Sequence, residues 1–153
     1  MKLAPMGIGS KVLARTRLSR WYASPVAWGE DVLPGVGLAP YQREILDEIV
    51  PRKRVAVRGP HGLGKSFMGA FIVNWFGTTR DLMGVDWKII TTASAWRHLE
   101  VYLWPEIHKW ADKIDFTQLG RAPYSKRAEL LDLRLKLRYG AATAVASNQP
   151  ERI

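Results

Sequence analysis

The sequence predicts an α/β fold in which a parallel sheet with flanking helices is followed by an antiparallel hairpin at the C-terminal end. Between residues 54 and 112, short apolar runs alternate with longer apolar-faced segments, the strand–helix–strand–helix order of a parallel sheet with crossover helices. A glycine-rich turn, Gly59-Pro60-His61-Gly62-Leu63-Gly64-Lys65-Ser66, joins the first short run to the first long one. Beyond residue 130 the period becomes two: Leu131, Leu133, Leu135 and Leu137 alternate with Asp132, Arg134, Lys136 and Arg138. A chain of 153 residues is long enough to build one core without covalent staples. With 47% hydrophobic and 24% charged residues it has ordinary globular composition, which excludes a disordered chain. No apolar run approaches the ~18 residues of a membrane span. The absence of cysteine removes disulfides, thiolate metal sites and cysteine nucleophiles, and fits a cytoplasmic protein.

Taken in order, Ser10 is placed to cap a helix over 11–22, which Pro25 stops. Pro34, Gly35, Gly37 and Pro40 mark a connector, so residues 1–39 form a basic N-terminal segment and connector ahead of a unit spanning 40–153. Pro40 suits the first turn of a helix over 41–50, with Tyr41, Ile45, Leu46 and Ile49 as its apolar stripe and Pro51 as its end. Residues 54–58 read as a short buried strand centred on Val55-Ala56-Val57. Residues 65–76 are apolar almost all round, as a helix buried against a sheet should be, with Gly77 as the stop. A second strand is expected over 87–92. A long helix over 95–112 then carries Trp96, Leu99, Leu103, Ile107 and Trp110 on one face, and Pro105 kinks or breaks it. The alternating run from Leu131 is a half-exposed strand that Gly140 turns onto a partner at 141–146.

The glycine-rich turn satisfies G-x-x-x-x-G-K-[ST], the phosphate-loop motif, between an apolar run and a helix as that motif requires. Gly59, Gly62 and Gly64 let the backbone turn its N–H groups inward, a nest for anions at the positive end of the next helix. The helix dipole contributes only ~0.3–1 kcal/mol, so the loop also needs Lys65 on the β and γ phosphates and the Ser66 hydroxyl on Mg²⁺. Gly59 to Ser66, with Pro60, His61 and Leu63 between, are therefore the expected binding residues for ATP and Mg²⁺. His61, His98 and His108 match no metal-ligand spacing.

A net charge of +9 points to a second, larger polyanion. Residues 1–20 hold Lys2, Lys11, Arg15, Arg17 and Arg20 with no acid; Arg52, Lys53, Arg54 and Arg58 precede the loop, and a looser basic set runs from Arg121 to Arg138. Lys11, Arg15, Arg17, Arg52, Lys53 and Arg54 are the expected contacts to a nucleic acid.

The ordered set Ser24-Pro25-Val26-Ala27-Trp28, Pro40-Tyr41-Gln42-Arg43-Glu44-Ile45-Leu46, the phosphate loop and Lys88-Ile89-Ile90-Thr91-Thr92-Ala93-Ser94 resembles the N-terminal ATPase domain of bacteriophage terminase large subunits, motors that package viral DNA. The resemblance implies a P-loop NTPase fold with a RecA-like parallel sheet, ATP hydrolysis coupled to translocation of double-stranded DNA, and a setting in the host cytoplasm. It also implies a small terminase subunit and a portal as partners. It gives Gln42 the task of reading the adenine edge, with Tyr41 beside the base, and leaves Arg58 as a substitute for the arginine finger of some members. The acidic second motif of such ATPases has no counterpart here. Leu130-Leu131-Asp132 is the nearest approach, and it continues with leucine rather than glutamate. The resemblance thus implies an incomplete ATPase, an N-terminal portion of a longer protein, an incomplete reading frame or one part of a split subunit, with the remainder of the large subunit as a further partner. The competing expectations are a RecA-fold helicase-like ATPase and a non-catalytic nucleotide- or DNA-binding fragment.

Overall fold

The computed structural model describes residues 7–60, 62 and 64–146. Helix α1 (Ile8–Ala23) begins before Ser10, with Gly7 at its N-cap, so Ser10 lies inside the helix rather than capping it. Helix α2 (Pro25–Val32) follows at once: the Ser24 hydroxyl accepts the Ala27 N–H at 3.1 Å, and Pro25 occupies the first turn, where its missing N–H is no loss. The same Ser-Pro pair thus ends one helix and starts the next. Helix α3 (Pro40–Arg52) starts on Pro40 as expected and takes Pro51 into its last turn; Lys53, at φ 62°, closes it with an N–H bond to Ile49.

Helix α4 (Lys65–Leu82) runs past Gly77, the expected stop. A Cβ at Gly77 would lie 3.1 Å from the Trp87 ring, so this glycine serves close approach of strand β1 (Trp87–Ala93), not termination. The expected long helix is three pieces: α5 (Trp96–His98), a π-helical turn (Leu99–Leu103) and α6 (Trp104–Ala111). The Trp104 N–H reaches back five residues to Leu99, which re-registers the chain just before Pro105, where no N–H is available. A short helix α7 (Phe116–Leu119) leads to strands β2 (Leu130–Leu131), β3 (Arg134–Lys136) and β4 (Gly140–Ala146).

The four strands form one sheet in the order β1-β4-β3-β2. Only β1 and β4 are parallel, paired from Trp87 with Gly140 to Ala93 with Ala146; β3 is antiparallel to both β4 and β2. This mixed, mostly antiparallel sheet overturns the expected RecA-like parallel sheet, and the hairpin belongs to the sheet instead of following it. The expected strand at 54–58 is also overturned. Residues 54–60 join no ladder, and Val55 and Val57 are 41% and 44% exposed. Without a neighbouring strand their backbone gains no ladder bonds and their side chains no burial, so an apolar triplet alone does not make a strand. The leucine alternation divides likewise. A reversal at Asp132-Leu133 makes two short strands, with Leu135 and Leu137 buried and Leu131 40% exposed.

The core gathers on α4. Trp28 meets Phe71 edge to face with centroids 5.2 Å apart, and the Trp75 indole donates to the Trp21 carbonyl at 2.6 Å. From the sheet side, Trp104 donates to the Thr91 hydroxyl, which itself donates to the Thr143 carbonyl across the parallel pair. Trp21, Trp28, Trp75, Trp87 and Trp104 are buried, while Trp96 and Trp110 are partly buried against them. Near the far end of α4 the Arg80 guanidinium sits 3.8 Å from the Tyr22 ring centroid and 4.2 Å from that of Phe76, and burial lowers its pKa from the ordinary value.

The tightest point in the sheet is Gly140, where a Cβ would lie 2.1 Å from the Trp87 carbonyl oxygen. Gly140→Ala is expected to lower stability by more than about 3 kcal/mol in denaturant titrations, because the overlap is with backbone that cannot rotate aside. Gly120→Ala, left-handed but facing open space, is expected to cost only about 1 kcal/mol.

Candidate phosphate-binding site

Gly64 is the N-cap of α4 at φ 76°, ψ 32°, and Gly62 also has a positive φ, at 89°. Both lie in the left-handed region that glycine enters without a Cβ penalty. Two glycines of the loop thus take positive-φ turns, although no paired strand leads into it. No side chain caps α4 and no acid stands in its first turn. Among the described residues, no carboxylate of that first turn itself offsets the positive helix end.

Lys65 opens the helix and folds its ammonium back onto the Gly59 carbonyl at 2.6 Å, bracing the loop across its own mouth. An exposed lysine held by one carbonyl is ready to exchange that contact for a phosphate oxygen. Ser66, next along, is partly buried. Pro60 is exposed and Gly59 partly buried; His61 and Leu63 lie outside the described residues.

Gln42, at the third position of α3, turns its side-chain oxygen back to accept the Ala39 N–H at 2.9 Å, half of a capping box. It is only 9% exposed, and its Nε2 lies 3.2 Å from where a Cβ of Gly64 would be. The end of the amide facing the loop is thus the donor, and the helix start is locked against the loop by a glycine that leaves room for it.

Between α3, residues 56–58 and the start of α4 lies a cavity of about 610 Å³, within the usual range for small-molecule sites. Tyr41, Glu44, Arg58 and Lys65 stand around it over a floor that includes Ile45 and Ile72. Glu44 was not singled out from the sequence. The signal was present, since Tyr41, Glu44 and Ile45 are spaced i, i+3, i+4 and so share one helix face. Arg58 lines the cavity as an exposed cation on the unpaired 54–60 segment. Asp132 lines a different hollow together with His108 and Glu100. Among the described residues, no group of three histidine, aspartate or glutamate side chains could hold a metal.

The expected DNA contacts fall on two elements. Lys11, Arg15 and Arg17 are exposed on α1, but Arg17 is already bonded to Gln118 and lies 4.9 Å from the Trp21 ring centroid. Arg52 pairs with Glu48 at 2.6 Å, while Lys53 and Arg54 are exposed beside it. Among the described residues, no helix is long and apolar enough to cross a membrane. Comparison with protein-family models, curated proteins and solved structures finds no match to this chain.

Replacing Gln42 by Ala removes the acceptor for the Ala39 N–H and the packing on Gly64. It is expected to lower stability by about 1 kcal/mol, read as a shifted denaturant midpoint.

Proposed function

We propose that the loop of residues 59–66 binds the phosphates of ATP, as the nucleotide-binding part of a motor of the terminase large-subunit kind. Such a motor couples hydrolysis to movement of double-stranded DNA, with the rest of the subunit, a small subunit and a portal as partners. The observation that carries the reading is Lys65 at the uncapped start of α4, held across a loop in which Gly62 and Gly64 take left-handed turns.

In this reading, the Lys65 ammonium leaves Gly59 and pairs with the β and γ phosphates, whose charge also faces the free N–H groups of the first turn of α4. The base and sugar occupy the cavity beside the loop, the Tyr41 ring lies next to the base, and Gln42 Nε2 is the amide donor nearest the loop. The Ser66 hydroxyl would be the protein's ligand to a Mg²⁺ ion bound with the triphosphate, and that ion would supply neutralisation of charge on the phosphate oxygens. Arg58 is placed to meet a phosphate oxygen from the cavity side.

A second reading, binding without turnover, draws on the acid content of the cavity: Glu44 is its single carboxylate, and it is exposed on α3. One variant separates the outcomes. Lys65→Ala is expected to weaken binding of a non-hydrolysable ATP analogue at least tenfold by calorimetry while leaving the far-ultraviolet circular dichroism unchanged. Unchanged affinity would remove the loop from the account. Hydrolysis that disappears with Lys65 would exclude the non-catalytic reading.

A further inference from the structure

Among the described residues, the helices cover one face of the sheet and leave the other open. On β1 the burial pattern puts Trp87 and Thr91 inward, so Lys88 and Ile90 point outward. The register then places Lys88, Ala141 and Lys136 in one row across the open face, and Ile90, Thr143 and Arg134 in the next. Arg138 joins them just past β3. Together these residues frame an open hollow of about 510 Å³ whose lining has four basic side chains and no acidic one. None of the four makes an ion pair among the described residues.

We infer that this open sheet face is a binding surface for the phosphate backbone of double-stranded DNA. The partner is the one named in the proposed function, on which this choice of polyanion rests; the surface is additional to it and distinct from the clusters on α1 and α3. Charge complementarity carries the assignment, because four unpaired cations across two strands match a dense line of phosphates. A second copy of the chain is disfavoured, since a two-fold contact through this face would set like charges against each other. The floor is Ile90, Ala141, Thr143 and Val145; the aromatic residue of the lining, Trp87, is buried with its ring against Gly77 of α4 and offers no open platform for unstacked bases, so the face suits a duplex backbone better than a single strand. The sequence conceals the cluster: Lys88 lies 46 positions before Arg134 and meets it only through the β1–β4–β3 register.

The full chain, titrated with a fluorescent mixed-sequence duplex of about 30 base pairs at several salt concentrations, tests this directly. Arg134→Gln with Lys136→Gln is expected to weaken binding at least tenfold and to reduce the log–log salt slope by about two, one unit for each lost phosphate contact. Lys88→Gln, a single change on another strand, is expected to reduce it by about one and guards against a misfolded double variant, with circular dichroism checking both. Lys65→Ala is expected to lose ATP-analogue binding and keep duplex binding, so the nucleotide and DNA assignments fail separately. The inference is overturned if the sheet variants bind duplex as the parent does while Lys11→Gln with Arg15→Gln carries the loss. It is equally overturned if polyglutamate or single-stranded DNA binds this face as tightly as the duplex, or if the parent self-associates through it.

Discussion

Burial of α4 from every side organises the molecule. Its eighteen residues have α1 and α2 against them on one flank, α6 on another and the β1–β4 pair beneath, so Met68, Phe71, Val73, Trp75 and Thr78 all face protein. A helix surrounded in this way cannot shift along its axis without opening several contacts at once, because interiors packed to crystal density have no slack. Both of its ends are consequently fixed points. One holds Arg80 among aromatic rings, and the other presents the glycine-rich loop and Lys65.

That placement explains how the described part of the loop is held without the strand expected to support it. The residues leading in from 54 are exposed and unpaired, so the loop is held from behind, by the start of α4, and from the side, by Gln42 against Gly64. A nest built on backbone donors needs its N–H vectors fixed more than it needs a particular sheet beneath it. Lys65 on the Gly59 carbonyl completes the support from within.

Legibility in the sequence followed the range of the interactions. Some local signals read well: Pro25 closing α1 and Pro40 opening α3 each depend on residues within one turn, although the helix α2 that the same Ser24-Pro25 pair starts is missing from the expectations. Signals that depend on distant partners did not. Val55-Ala56-Val57 has strand composition but no neighbour, and Gly77 looks like a helix stop until Trp87 is seen to lie against it. The leucine run from 131 hid a chain reversal that breaks its period, because two residues at Asp132-Leu133 suffice to turn β2 into β3 and leave Leu131 exposed while Leu135 is buried. The sheet order, and with it the basic open face, depends on β4 returning beside β1, which no spacing within either segment announces.

Net charge of +9 is thus divided by the fold among α1, the end of α3, the loop and the open sheet face, and these regions need not serve one ligand. The central claim is that the loop is the nucleotide site. Its most direct test is a titration of the ¹⁵N-labelled chain with Mg²⁺ and a non-hydrolysable ATP analogue, followed residue by residue through backbone amide shifts. The account predicts the largest saturating shifts at Gly59, Gly62, Gly64, Lys65 and Ser66, with little change at Arg134, Lys136 and Thr143. Loop amides that stay in place while the analogue binds elsewhere, or no binding at all, would contradict it.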